Sequence, residues 1–415
     1  MTSRPLSAHW LGLAWLLVIA VAVIRAPAAA RAQQGGIEVI DAPPPEYSFG
    51  QSITFRLSAE SSAPISAIKL FLDTGGPEPT IWPNVEFIQG AHVDAVASFD
   101  LAINPLPPFA PIRYWWELED TAANGLTTPP ASFTYEDDRF VWRTSSKGSV
   151  TVHWYVGDEA FGAAAASTAA NALPLISRNV RGALPRTVDI YIYGNLADEK
   201  AALQQVGSSF TDGHADPKLG MVIVAVAPDL RAAYNLEREI PHEMTHLLIY
   251  KATGDNYQKV PYWLNEGLAV AHQTQRDSDF PAILAAARDA RQYLPLDSLC
   301  GPFQAGTARL AYAESESVVR FITSRFGAEG INRLLVAYAA GAGCDEGVQT
   351  SLGLSLAELQ ARWLDEIAPL DDAAQRWATW APWLIVAGLV LVGPLLFMLA
   401  AFWRGRRSVP GVRMV

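Results

Sequence analysis

Apolar positions along this chain follow three different patterns, one after another. In the first, they alternate. Ile53, Phe55 and Leu57 interleave with Thr54, Arg56 and Ser58, the period of a half-buried strand. Ile68-Lys69-Leu70-Phe71-Leu72 and Ile112-Arg113-Tyr114-Trp115-Trp116-Glu117-Leu118 are further strand candidates, punctuated by Gly75-Gly76-Pro77 and Asn104-Pro105. Short strands of this kind predict an all-β immunoglobulin/fibronectin-like sandwich over residues 37–145. The polar stretch Thr144–Ser149 reads as its boundary. Beyond it, Val150–Val156, Val188–Tyr193 and Met221–Val226 read as short strands, and the Ala-rich run Phe161–Leu173 as a helix. Helical spacing then takes over. One helix ends near Gly254, another runs from Leu310 to Phe326 and stops at Gly327, and Ser355-Leu356-Ala357-Glu358 is a capping box opening a last soluble helix. A small sheet followed by helices predicts an α+β domain over 149–370.

The third pattern is unbroken apolarity, and it occurs twice. Arg4, the run Trp10–Ile24 and Ala30-Arg31-Ala32 have the form of a signal peptide, residues 1–32; a retained N-terminal anchor is the alternative. Ala381–Trp403 carries no charge and is long enough to cross a hydrocarbon core of about 30 Å. Trp377, Trp380 and Trp383 border it at one end and Trp403 at the other. Arg404, Arg406 and Arg407 follow, which puts the tail 404–415 in the cytoplasm. Pro394 inside the span is of a kind that membrane helices tolerate. The expectation is a single-pass protein of the cell membrane with its soluble domains outside.

Composition sharpens this picture in two ways. A formal charge of −11 and a pI near 5.2 argue against a nucleic-acid partner. An outside location also gives Cys300 and Cys344 a reading as one disulfide, the alternative being two small buried residues. Neither lies at the close Cys or His spacing of a zinc site. Nothing in the sequence fixes the oligomeric state.

The candidate chemistry lies in Pro241-His242-Glu243-Met244-Thr245-His246 and Trp263-Leu264-Asn265-Glu266-Gly267. Residues four apart share a helix face, so His242 and His246 can grip one metal ion, with Glu243 beside its open position. The ordinary alternative is two surface histidines and an exposed glutamate. Against it, the chain has only seven histidines, and the flank Leu247-Leu248-Ile249-Tyr250 is apolar. Glu266 follows as a third donor in a segment entered by Pro261. Three protein donors and a water is the catalytic zinc pattern. Zn2+ would acidify the water, and Glu243 would act as general base.

The HEMTH and YWLNEGLA segments resemble the gluzincin metallopeptidases, and most closely the family called peptidase MA-like, over roughly Ser149 to Ile367. The resemblance extends to Ala311-Tyr312-Ala313-Glu314-Ser315 and to the segment Ser355–Trp363. It implies a zincin-like fold, zinc bound by His242, His246 and Glu266, Glu243 as base, and a peptide or protein substrate. By analogy Tyr312 is the donor to the developing oxyanion; a helix tyrosine packed on the core is the alternative. It also implies that Met221–Val226 offers its edge to an extended substrate. The Gly-x-Met-Glu-Asn signature by which related aminopeptidases capture an amino terminus is missing, which favours an endopeptidase. Asn265 reads either as a residue supporting the metal or as helix surface. Gly267 reads as a close-packing position between the two ligand helices. Trp115 and Trp116 read as packing residues, His92 and His153 as ordinary, and His214 and His272 as non-ligands. Two rival readings remain: a non-catalytic surface binder on a degenerate peptidase scaffold, and a zinc hydrolase with a non-peptide substrate.

Overall fold

The computed structural model describes residues 36–75, 79–82, 84–182, 187–203, 213–216, 220–367 and 372–406. The predicted signal peptide and residues 407–415 of the predicted tail lie outside these. The chain divides into two compact units. The first holds the described residues up to Tyr47 together with Ile53–Phe99 and Ile112–Phe133, and the second holds the rest.

The sheet-rich region contains strands β1 (Glu38–Asp41), β2 (Glu46–Ser48), β3 (Ser52–Asp73), β4 (Thr80–Trp82), β5 (Gly90–Asp100), β6 (Pro111–Asp120), β7 (Gly125–Thr127) and β8 (Ala131–Thr134). Strand β3 organises them, pairing with β1, β2, β4, β5 and β6. The two strands expected around Ile53 and Ile68 are therefore two halves of one. Both keep strict alternation, and Ile53, Phe55, Leu57, Leu70 and Leu72 are buried. The partner changes along it: Ser58–Glu60 face β1, whereas Ile65–Asp73 face β6 after a register shift near Ile65. Pro64, which has no N–H to give a ladder, sits at that change and accepts from Thr121 N. Trp116 is buried, and Trp115 stacks on its cross-strand partner Phe71 at 5.3 Å between ring centroids, so both tryptophans pack as expected.

The second region begins with β9 (Arg143–Lys147) and β10 (Val150–Trp154). It continues through α1 (Glu159–Asn179), β11 (Val188–Tyr193), α2 (Leu196–Leu203), β12 (Gly213–Asp216) and β13 (Met221–Ala225). Helices follow: α3 (Ala232–Thr253), α4 (Tyr262–His272), α5 (Phe280–Ala290), α6 (Ala308–Ala339), α7 (Cys344–Leu352), α8 (Leu356–Ile367) and α9 (Asp372–Arg406). The sheet runs β12-β13-β11-β10-β9, parallel through β13, β11 and β10 and antiparallel at both outer strands. The polar stretch read as a boundary supplies β9, an outer strand that can afford a polar sequence. Strand β13, expected to offer its edge, is instead internal. Met221–Val224 are all buried, as befits a strand flanked on both sides, and the outer position falls to β12.

Val152, Trp154, Ile190, Ile192, Val222 and Val224 join α1 and α3 in one core. Gly162 of α1 admits the Trp154 ring, since a β-carbon there would lie 2.3 Å from it. Helix α6 breaks at Gly327 (φ 67°, ψ −178°), where the sequence predicts a stop, and then resumes. The capping box of α8 forms, with Glu358 N donating to Ser355 Oγ and Ser355 N to the Glu358 carboxylate. Cys300 and Cys344 are joined in a disulfide. Within α9, the 26 residues Thr379–Arg404 are long and apolar enough to cross a membrane, and the apolar stretch is not buried by protein.

Candidate metal centre

Helices α3 and α4 supply the donors. His242 and His246 share one face of α3 and direct Nε2 toward α4. There Glu266 Oε2 lies 3.5 Å from His242 Nε2 and 3.7 Å from His246 Nε2. The donor atoms of the three residues all lie within 4.8 Å of one another. Two imidazole nitrogens and one carboxylate oxygen, converging with their side chains largely buried, fit the three-donor set of a catalytic zinc ion.

The supporting side chains come from α4 and its approaches. His246 Nδ1 lies 3.1 Å from Asn265 Oδ1, and Asn265 Nδ2 donates to Tyr257 Oη at 3.0 Å. Asn265 thus joins the His246 ring to Tyr257, the position a residue supporting a metal ligand would take. His242 Nδ1 lies 3.1 Å from Gln273 Nε2. Gln273 and Tyr257 had no part in the sequence reading. The available signal for Gln273 was its spacing, seven residues after Glu266 and so two turns along the same face.

Glu243 is buried and lines a cleft together with His242, Gln273, Phe280 and Tyr312. Burial pushes the Glu243 carboxyl above its ordinary range, although His246 and His242 oppose this. Glu266 behaves oppositely. Burial disfavours its charge, but His246 and His242 hold its pKa below the ordinary value. Burial also disfavours charge on His242, yet the carboxylates of Glu266 and Glu243 prevail and raise it. Tyr312 stands in the cleft with Phe303 edge-on to its ring at 5.1 Å.

Gly267 makes a close approach, but its partner is α6 rather than α3. A β-carbon at Gly267 would lie 2.5 Å from the Ser315 carbonyl oxygen. That backbone contact sets α4, with Glu266 on it, directly against the helix that carries Tyr312.

His272, His153 and His92 stand apart from the donor set. His272 is bonded to Thr245 and Asn179, and burial lowers its pKa to about 4. His153 bonds Asp189 at 3.0 Å, and His92 lies beside Glu60 and Asp94. His214 falls on β12, and its side chain is outside the described residues.

A family model described as the peptidase MA superfamily matches residues 168–368. No curated protein sequence matches the chain. Similar solved structures include an M1 zinc metallopeptidase from Deinococcus radiodurans, at 13% identity and a TM-score of 0.36, covering 81% of this chain and 95% of that one. A mutant M1 zinc metallopeptidase from Deinococcus radiodurans bound to a Tyr-Ser-Ala substrate gives 13% identity and a TM-score of 0.35 over 81% and 95%. An aminopeptidase N family protein from Idiomarina loihiensis gives 10% and 0.34 over 81% and 74%. The segment 168–368, which holds His242, Glu243, His246, Glu266 and Tyr312, is thus what matches the peptidase MA superfamily model.

Proposed function

We propose that this protein is a membrane-anchored, extracellular zinc endopeptidase. The observation that carries the reading is the convergence of His242, His246 and Glu266 within 4.8 Å beside a cleft that Glu243 also lines. A zinc-binding scaffold has no use for a buried carboxylate next to the donors, whereas a hydrolase does. When bound, zinc supplies Lewis acidity to the scissile carbonyl and lowers the pKa of water to about 7.

The chain's own residues do the rest. Glu243 takes the proton of the attacking water and returns it to the leaving amine, an exchange favoured by a carboxyl whose proton affinity burial has raised. Tyr312 donates its hydroxyl to the carbonyl oxygen as charge develops there. Asn265 and Tyr257 hold the His246 ring in place. Burial keeps the Tyr257 phenol above its ordinary range, and so neutral.

The endopeptidase reading rests on the absence of an amino-terminus signature in the sequence. The anchor is Thr379–Arg404, with the arginines after it on the cytoplasmic side. The strand-rich region is proposed to be an immunoglobulin/fibronectin-like sandwich, with the partner-switching β3 as support. The test is metal analysis of the full chain in detergent beside its Glu243→Gln variant, with cleavage of a mixed peptide library. One zinc per chain in both, and chelator-sensitive internal cleavage in the unsubstituted chain alone, is the expected result. Zinc without cleavage in the unsubstituted chain would remove the peptidase reading.

A further inference from the structure

Tyr312 is held from the side by a residue that does not line the cleft. A tyrosine hydroxyl lies at the far end of a ring that turns about two side-chain bonds, so its helix position alone leaves the hydroxyl unplaced. On one side the Tyr312 ring packs on a small apolar cluster of Val270, Phe280 and Ala313, separate from the main core. On another, Phe303 meets it edge-on, with ring centroids 5.1 Å apart. Phe303 packs against the main core, whereas Pro302 and residues 304–307 around it are exposed.

The loop that carries Phe303 has a fixed point at Cys300. Its approach is secured by Leu294 N, which donates to the Glu314 carboxylate at 3.2 Å, and by Leu296 N, which donates to Gln360 Oε1 at 2.9 Å. Cys300 is then joined by the disulfide to Cys344, the first residue of α7. The Cys344 carbonyl in turn accepts from Tyr338 Oη of α6 at 2.9 Å. Phe303 follows three residues after this anchor, so the loop has little length in which to shift its ring.

The same anchor serves α4. Pro261 at its N-cap offers no side-chain acceptor, and the first amides of a helix have no partner inside it. Tyr262 N, at the first position, donates to the Cys300 carbonyl at 3.2 Å. The Tyr262 ring also meets Phe303 edge-on, at 6.0 Å between centroids. Phe303 therefore touches both the first residue of the helix that carries Glu266 and the ring of Tyr312.

We propose, resting on the peptidase reading above, that Phe303 is the positioning residue for Tyr312, and that the Cys300–Cys344 disulfide acts on the site by fixing the loop that carries it. The Tyr312 hydroxyl is aimed by a ring that stands outside the cleft lining. Without that ring the hydroxyl strays from the substrate carbonyl by about 1 Å, a displacement that costs about 10- to 100-fold in rate.

The test uses the full chain in detergent and a fluorogenic peptide whose sequence is taken from the library cleavage. Phe303→Ala should lower kcat about 10- to 100-fold with KM and zinc content unchanged. Phe303→Tyr, which keeps the ring, should retain most of the kcat. In the Tyr312→Phe chain no hydroxyl is left to aim, so adding Phe303→Ala there should cost no more than about twofold. The double variant Cys300→Ser with Cys344→Ser should lower kcat at least as far as Phe303→Ala does. If that double variant folds poorly, the Phe303 chains still decide. Unchanged kcat in Phe303→Ala, or an equal loss with and without the Tyr312 hydroxyl, would overturn the inference. Unchanged kcat in the double cysteine variant would remove the disulfide from it. An unsubstituted chain with neither zinc nor chelator-sensitive cleavage would overturn the peptidase reading instead.

Discussion

Two buried carboxylates, one in each region of the molecule, differ in what surrounds them. Asp120, at the end of β6, accepts from Ala122 N, Asn124 N, Asn124 Nδ2 and Ser61 Oγ. The Asn124 side chain leads these donors in holding its pKa down, to about 2. Every lone pair is used, the charge is stable, and the group fastens a turn. Glu243 is equally enclosed, but no hydrogen bond to its carboxylate is found among the described residues, and burial raises its pKa. A carboxylate left without local donors, against two histidines and a cleft, costs stability and gains proton affinity. Burial alone therefore does not set the proton affinity of a carboxylate. The donors around it do, and their absence at Glu243 fits the proposed role as a base.

The largest expected effect tests whether the second environment exists for a metal. Glu266→Ala removes one of three donors and should strip zinc from the chain on dialysis, with cleavage lost alongside. A full complement of retained metal would remove Glu266 from the donor set. Glu243→Gln should keep the zinc and lower turnover by about 10²- to 10⁴-fold, since only the proton acceptor goes. Unchanged turnover would leave Glu243 no more catalytic than Asp120. Tyr312→Phe should reduce turnover by up to about 10²- to 10³-fold with zinc content and KM little altered. Undiminished turnover there would return Tyr312 to the role of a packed helix residue.

A smaller effect is expected at Gly267. Gly267→Ala drives a methyl into the Ser315 carbonyl and should cost about 1–3 kcal/mol in denaturant unfolding, with weaker zinc binding because Glu266 moves with the backbone. Wild-type stability and affinity would mean that the two helices part without consequence. The smallest effect is the pH dependence of stability, where two buried acids should act in opposite senses. Asp120 has a folded value of about 2 against 3.8, so its contribution is present above 3.8 and is lost as pH falls toward 2. Glu314, fully buried in α6, is pushed up by burial to about 7 from 4.5 despite the Leu294 N–H donated to it. Its folded form holds the proton more tightly, so stability should fall as pH rises from 4.5 to 7. Melting curves across pH should show Asp120→Asn flattening the acid limb and Glu314→Gln flattening the neutral one. Curves that keep their shape in both variants would refute both assignments.

Much of this protein was legible locally. The spacing of His242 and His246 placed them on one helix face, and the alternation around Ile53 made a strand, because these periods are properties of the backbone itself. Gly327 and Ser355 marked a helix end and a helix start because φ preference and capping act over a few residues. What the sequence left open was every question of who stands next to whom. Alternation could not say that Ile53 and Ile68 lie on one strand that changes partners at Pro64. An apolar run at Met221 marked a buried strand without saying that β12 would cover its free side. Gly267 announced a close approach but not that α6 would be the neighbour. The same holds at the candidate metal centre: the proposed donors were readable from their spacing, whereas Asn265 on one ring and Gln273 on the other depend on how α4 crosses α3. Donor identity is fixed by residue type and helical period, which are local. The hydrogen bonds that aim the donors join residues 19 and 31 positions apart, and only tertiary packing brings such residues within 3.1 Å.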